Sequence, residues 1–384
     1  MSRILVAVAA AAAVMAAGTA AAQKPASASA RTWIVPGRPE IRKILVERID
    51  KLHQARAMVV GVVDASGRQV VSYGNRDNGD NRSLDSRSIF AIGAMSQVFT
   101  SLILVRMADL REASLDEPVG KYLPDGSKVP GRGGKQITLI DLATDSSGLP
   151  RLPTNFAPKD PANPYADYSA DQLLKFLAGY SLPRDIGSSY EDSDLSAGLL
   201  GYALSRRAGT NYEALLDRRI AVPDHMTSTT VTLTPDQKAR LETGHDGALH
   251  PVAAWDFQDV MVGAGGLYSD MDDLLGFLEQ EFGLHWISEP VGMDTQAQLK
   301  PRRPTDSPDT EIAMGWRVTT TPQGPIVWTG DDAGGYSSVM AVDLKAKVAV
   351  VVLADAETPV GLDELAFHIL TGSPLAQPPA AAAK

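Results

Sequence analysis

Two regimes of apolar spacing divide the chain. Near the start, Ile4 to Ala17 is an unbroken apolar run, preceded by Arg3 and followed by Ala20-Ala21-Ala22. A short apolar core, one leading cation and an A-x-A site predict a cleaved secretory signal, with the mature chain starting at Gln23. The run is shorter than the ~20 residues a spanning helix needs, so no membrane span is expected after cleavage. Gln23 to Arg31 is rich in Ala and Ser and predicts a disordered lead. From Pro39 to Gln54 the spacing turns helical, with Ile41, Ile44, Leu45, Ile49 and Leu52 on one face. Ala57–Val63 and Gln69–Tyr73 are β-rich, and Asp64-Ala65-Ser66-Gly67 between them predicts a hairpin.

Strand patterns return only near the end, at Met314–Thr320, Ile326–Trp328, Tyr336–Val342 and Val348–Ala354, before a helix over Leu362–Leu370. A long helical and loop region, 86–303, lies between these strand-rich ends. The simplest arrangement is an α/β (α+β) fold. An antiparallel sheet from both chain ends (39–85 and 304–372) is flanked by helices, and the helical region is inserted into it. The tail from Ser373, with Pro378-Pro379 and an alanine run, is expected to be disordered.

Composition narrows the chemistry. Of 384 residues, 46 are acidic and 36 basic, a formal charge of −10, and there is no cysteine. Disulfides, thiolate metal sites, iron–sulfur clusters and a cysteine nucleophile are excluded. A net acidic chain without a basic stretch is not built for nucleic acid.

Six blocks carry chemistry. They are Ser88–Thr100 (SIFAIGAMSQVFT), Leu115–Pro124 (LDEPVGKYLP), Ile137–Pro150 (ITLIDLATDSSGLP), Tyr190–Gly201 (YEDSDLSAGLLG), Gly263–Ser269 (GAGGLYS) and Trp328–Tyr336 (WTGDDAGGY). Their order resembles the serine β-lactamase and penicillin-binding protein superfamily. The nearest branch is that of class C β-lactamases, family VIII esterases and D-Ala-D-Ala carboxypeptidase/endopeptidases. The resemblance runs from about Ile41 to Leu370 and implies the β-lactamase/transpeptidase fold. Glycines 93, 148, 265, 266, 334 and 335 of these blocks are present.

The resemblance also implies a mechanism. An S-x-x-K serine attacks, its lysine one helical turn on activates it, a Y-x-N tyrosine moves a proton, and a K-T-G or H-x-G strand binds carboxylate or oxyanion. Every such position differs here. The first slot reads Ala94-Met95-Ser96-Gln97, the second Asp192-Ser193-Asp194. The third has Thr329 at the cationic position, followed by Gly330 and Asp331; a one-residue slip would align Trp328-Thr329-Gly330 instead. Asp145 stands where the H-T-S-G-L-P loop has histidine. Ser96 lies about 200° round a helix from Ala94 and is expected to be a helix-surface hydroxyl. Ser193 is a reserve nucleophile that Asp192 or Asp194 could orient. None of the six histidines falls in a block, although His245 and His250 could approach the cleft.

Loss of all the catalytic groups together points to a change of job, because such groups act as a unit. The cleft loses cations and gains Asp192, Asp194, Asp331 and Asp332, with Asp145 near. That suits a cation, either an amine-bearing ligand or a hard metal ion. The local alternative is that Asp194 caps the helix beginning near Leu195 and that Asp331-Asp332 is a solvated loop. The leading expectation is an exported, periplasmic, non-catalytic family member, without cofactor, holding a small-molecule or cell-wall-derived ligand. Two alternatives stand beside it. One is a hydrolase using rearranged Asp and Ser residues, including a carboxylate-based glycan hydrolase. The other is an envelope protein that binds partners through its outer surface. Trp328, before the third motif, is expected to be a strand-edge packing residue.

Overall fold

Among the described residues the strongest apolar runs pair with one another. In the computed structural model, which describes residues 33–76, 83–257, 259–284, 292–300, 302–358 and 361–375, eight strands form one sheet. They are β1 (Ala57–Asp64), β2 (Gly67–Gly74), β3 (Arg303–Pro304), β4 (Thr310–Ile312), β5 (Arg317–Thr321), β6 (Gly324–Ala333), β7 (Tyr336–Asp343) and β8 (Val348–Ala354). The order is β2-β1-β8-β7-β6-β5-β4-β3, and each neighbouring pair is antiparallel. The two chain ends join at β1 and β8, where Val60 faces Val352. The expected sheet from both ends is therefore present. The export signal, the Ala/Ser-rich lead, His285 and the tail beyond Leu375 lie outside the described residues.

Both faces of the sheet are covered, which is why its central strands read as nearly continuous apolar runs. Met58, Val60, Val62, Val350 and Val352 pack with Ile41 and Leu45 of α1 (Arg38–Val46) on one face, together with Leu365 and Ile369 of the last helix. Val59, Val63, Met340, Val351 and Leu353 face the other way. There they meet α2 (Ser96–Asp109) and α4 (Met271–Phe282), whose Phe99, Leu274 and Leu275 share the same core. Between those two helices in sequence comes α3 (Asp194–Ala208), and α5 (Leu362–Thr371) ends the fold. Each fully buried Val or Leu contributes about 1.5–3 kcal/mol, so a register slip in these strands would be opposed on both faces.

Three boundaries differ from expectation. The helix from Pro39 stays α-helical only to Val46; Glu47–Lys51 is a wider turn in which Leu52 N–H bonds Glu47 O. There the buried Arg48 donates to Gln54 Oε1 at 3.1 Å. The strand expected from Met314 starts at Arg317, because the chain turns at Gly315, φ +75°. The strand expected over Ile326–Trp328 continues to Ala333. β7 pairs with it throughout, including Asp331 with Ser338 and Asp332 with Ser337. Asp331 and Asp332 are thus strand residues and not a loop, and of the two Asp332 is the one exposed to solvent.

Candidate functional site

The first block delivers the head of α2 to the middle of the molecule. Gly93–Met95 makes a single 3-10 turn that runs into Ser96. Ten of the fourteen residues of α2 are buried, so this helix has no polar face. That corrects the expectation for Ser96. Its hydroxyl is not on a surface; it is fully buried and accepts the Leu267 N–H at 3.2 Å. Ala94 presents a methyl group, and its backbone N–H donates to Asp331 Oδ2 at 2.8 Å. Gln97, one turn on, is half-buried, and its Nε2 is enclosed without a hydrogen-bond partner.

The fourth block starts α3, and the cap is Ser193, not Asp194. Ser193 Oγ accepts the Ser196 N–H at 3.0 Å and donates to Pro150 O at 2.8 Å. Its one proton and its capping lone pair are both committed, so the serine that was a reserve nucleophile acts as a helix cap. Asp194 is the first helical residue and accepts from Tyr165 Oη at 2.8 Å. Burial pushes its carboxyl up to about 6, while Arg151 and Tyr165 pull the other way. Arg151 donates to Asp192 Oδ2 at 2.6 Å, and its other terminal nitrogen is 3.7 Å from Asp194. Asp145 sits buried in a left-handed turn at φ +48°, with Oδ1 unpartnered. Burial raises its carboxyl well above the usual range, Asp192 adds to this, and Arg317 opposes it.

The sixth block lies on β6. Alternation puts Thr329 and Asp331 on the face toward the Gly93 turn and Trp328 on the other. Trp328 meets Phe367 of α5 at 5.7 Å between ring centroids, edge to face. A register that gave Trp328 the cationic position would aim it at that helix. The pleat therefore favours the register in which Thr329, Gly330 and Asp331 follow one another in the motif. Thr329 is buried opposite Met340. Burial raises the Asp331 carboxyl, against which the Ala94 N–H and Arg151 act. Asp332 is raised for the same first reason, with Ser337 opposing.

A cavity of about 440 Å³ opens here, lined among others by Arg151, Arg317, Trp328, Asp331, Asp332 and Asp363. Of the residues singled out from sequence, the fold gathers Ala94, Asp145, Asp192, Asp194, Asp331 and Asp332 around this region. His245 and His250 do not line it. His245 is buried, with Nδ1 2.8 Å from Asp355 O, and His250 is exposed beside Asp246.

The charge picture also changes. The expected all-acidic cleft has two guanidinium groups. Arg151 neutralises Asp192 and Asp194, and Arg317 lies among Tyr190, Asp192 and Asp145. Among the described residues no group of three or more His, Cys, Asp or Glu is placed to hold a metal ion. Asp192 is ion-paired with Arg151, and Asp331 accepts the Ala94 N–H. Arg151 was missed although it directly follows Pro150 of the third block. Arg317 was visible only as a charged residue in a strand, and Tyr165 had no local signal.

The comparisons fit this geometry. A family model described as Beta-lactamase matches residues 44–370. The D-alanyl-D-alanine-carboxypeptidase/endopeptidase AmpH of Escherichia coli (strain K12) is 28% identical over 302 residues, covering 75% of this chain and 76% of that protein. A β-lactamase/D-alanine carboxypeptidase from Yersinia pestis, solved with citrate, superposes with a TM-score of 0.71 at 25% identity, over 83% of this chain and 94% of its own. A class C β-lactamase from Rhodobacter sphaeroides shares the fold at TM-score 0.71 and 23% identity, over 87% and 99%. With its sheet from both chain ends, its helix head facing β6 and most of its length matched, the chain belongs to the beta-lactamase family of the serine β-lactamase and penicillin-binding protein superfamily.

Proposed function

We propose that the protein is an exported, non-catalytic member of this family that holds a small, amine-bearing ligand in the former catalytic cleft. The observation that carries this reading is Ala94. At the head of α2, where the family's serine would stand, the side chain is a methyl group, and a methyl group cannot form an acyl-enzyme. Neither serine the sequence offered replaces it: Ser96 is buried against Leu267, and Ser193 is spent on its cap. Gln97 supplies no base where the family has lysine. The wall of the cavity favours an amine. Arg151 is already engaged by two aspartates, and against the one remaining guanidinium of the lining, Arg317, stand the three carboxylates of Asp331, Asp332 and Asp363. Cell-wall peptides carry free amines and would meet an exported protein. No helix among the described residues is long and apolar enough to cross a membrane.

The test is intact-mass spectrometry with a β-lactam, an activated ester and a fluorophosphonate. No covalent adduct is expected on the unmodified protein; an adduct formed at enzyme-like rates would replace this reading with a hydrolase. Calorimetric titration with D-alanyl-D-alanine and its N-acetylated form then probes the ligand. Binding that acetylation abolishes supports the amine; equal binding of both forms overturns it.

A further inference from the structure

The carboxylate of Asp331 lies at the donor end of α2. Oδ2 accepts the Ala94 N–H at 2.8 Å, and a Cβ built on Gly93 would fall 2.3 Å from the same oxygen. The oxygen is therefore seated against the Gly93–Ala94 turn. The seat is held from the partner strand as well. Asp331 pairs with Ser338 across β6 and β7, and Ser338 Oγ donates to Ile92 O at 3.0 Å. Strand and turn are pinned on both sides of Gly93.

The Ala94 N–H lies in the 3-10 turn that leads into a fourteen-residue helix, whose positive end makes this turn favourable to an anion. In acyl transfer such a donor next to the nucleophile is the one that meets the oxyanion. In the register the pleat favours, the family's motif has glycine where this chain has Asp331. A glycine there would leave the Ala94 N–H open to the cleft.

We infer that Asp331 is a built-in plug, an internal anion that occupies the oxyanion-binding donor of the cleft and closes it to acyl-transfer chemistry independently of the missing serine. This inference rests on the non-catalytic reading and deepens it. The plug is then a block separate from the missing catalytic groups, and restoring the nucleophile and base does not remove it. Burial raises this carboxyl, and the Ala94 N–H and Arg151 act against that rise.

The experiment compares four proteins: the unmodified chain, Asp331→Gly, Ala94→Ser/Gln97→Lys, and the combination of all three substitutions. Each is checked for folding by circular dichroism and then mixed with a chromogenic β-lactam. In the reaction tested, the oxygen introduced at position 94 bonds to the lactam carbonyl carbon. The lactam C–N bond breaks, and the proton from that oxygen passes through the introduced lysine to the leaving nitrogen. The triple variant is expected to acylate at least about 10²-fold faster than the double variant, the size of losing one oxyanion donor. Equal rates in the two overturn the plug. If neither acylates, the Ala94 amide decides. Its nitrogen resonance in the unmodified protein is expected to titrate with one carboxyl and to lose that titration in Asp331→Asn. A flat Ala94 profile, or one unchanged by Asp331→Asn, overturns the inference. Labelling of the unmodified chain would instead defeat the proposed function, so the two failures are separate.

Discussion

Arg317 on β5 lies with its guanidinium carbon 5.3 Å from the ring centre of Trp328, its cross-strand partner on β6. The same indole donates from Nε1 to Thr319 Oγ1 at 2.8 Å and edges onto Phe367. Trp328 is therefore the packing residue its position suggested, and it also fixes a cation at the cavity. Cation–π stacking of a partly desolvated arginine contributes about 0.5–2 kcal/mol beyond the area buried. Trp328→Ala is expected to destabilise the fold by roughly 2–4 kcal/mol, since the ring is half-buried. Trp328→Phe is expected to lose less, because it keeps a ring under Arg317. Urea unfolding of the two variants checks the order; equal losses would remove the stacking argument.

Ser193 makes a second, smaller prediction. Loss of an N-cap hydroxyl costs about 1 kcal/mol. Ser193→Ala is expected to lower stability by about that amount, and Ser193→Asp, which can still cap, to recover much of it. Neither change is expected to alter labelling by a fluorophosphonate. Labelling of the unmodified chain that Ser193→Ala abolishes would return Ser193 to the role of nucleophile.

These two residues show what the sequence conveys and what it withholds. Apolar runs such as Val348–Ala354 state their own strand, because burial on both faces demands apolar residues at every position. The six blocks locate the cleft because each is local. What joins the cleft across the fold is not local. Arg151 reaches Asp192 over 41 residues, and Tyr165 reaches Asp194 over 29. No spacing rule connects such pairs, so the carboxylates looked unpaired until the fold brought their cations. Ser193 and Asp194 illustrate a finer limit: both are good caps, and only the backbone at Ser193, φ −140°, decides between neighbours.

Buried carboxyls set the pH dependence of stability. Burial raises Asp194 to about 6, Asp270 to about 6 and Asp355 to about 7. Each folded-state value lies above that of the unfolded chain, so between the two values the folded state binds more protons. Stability contributed by these groups is then present at low pH and falls as pH rises from about 4 to about 7. Asp355→Asn keeps an oxygen that can accept the Arg56 and Ala57 N–H groups, as Oδ1 does now at 3.0 and 2.8 Å. It is expected to flatten the upper part of this window, and Asp194→Asn the lower part. Unfolding free energies measured at intervals from pH 4 to 8 give the slopes. An unchanged slope in Asp355→Asn would show that this group does not titrate there.

Arg106 of α2 is the cation on which a distant part of the helical region depends. It donates to Asp224 Oδ2 at 2.9 Å, Glu281 Oε1 at 2.8 Å and Asp294 Oδ2 at 2.9 Å. Its removal would leave three carboxylates facing one another in a mostly buried space. Breaking a buried pair by deleting one partner costs about 3–5 kcal/mol. Arg106→Met is expected to fall in that range, with the loss shrinking at pH 4 as the carboxylates take up protons. A loss independent of pH would mean that packing of the side chain, not its charge, is what matters.

Gly93 and Asp331 offer a test of the plug that needs no chemistry at all. Gly93 has φ +50°, where a side chain is strained, and a Cβ there would stand 2.3 Å from Asp331 Oδ2. Gly93→Ala therefore costs twice: once in backbone strain, and once because the carboxylate must leave its seat and give up the Ala94 N–H. Asp331→Gly removes only the second cost. The two substitutions are expected to be non-additive by about 1–3 kcal/mol, the double variant being more stable than the sum of the singles implies. Chemical unfolding of the four proteins closes the cycle. Additivity within about 0.5 kcal/mol would mean that the carboxylate yields to a methyl group without loss, and an anion held that loosely could not keep a developing oxyanion out.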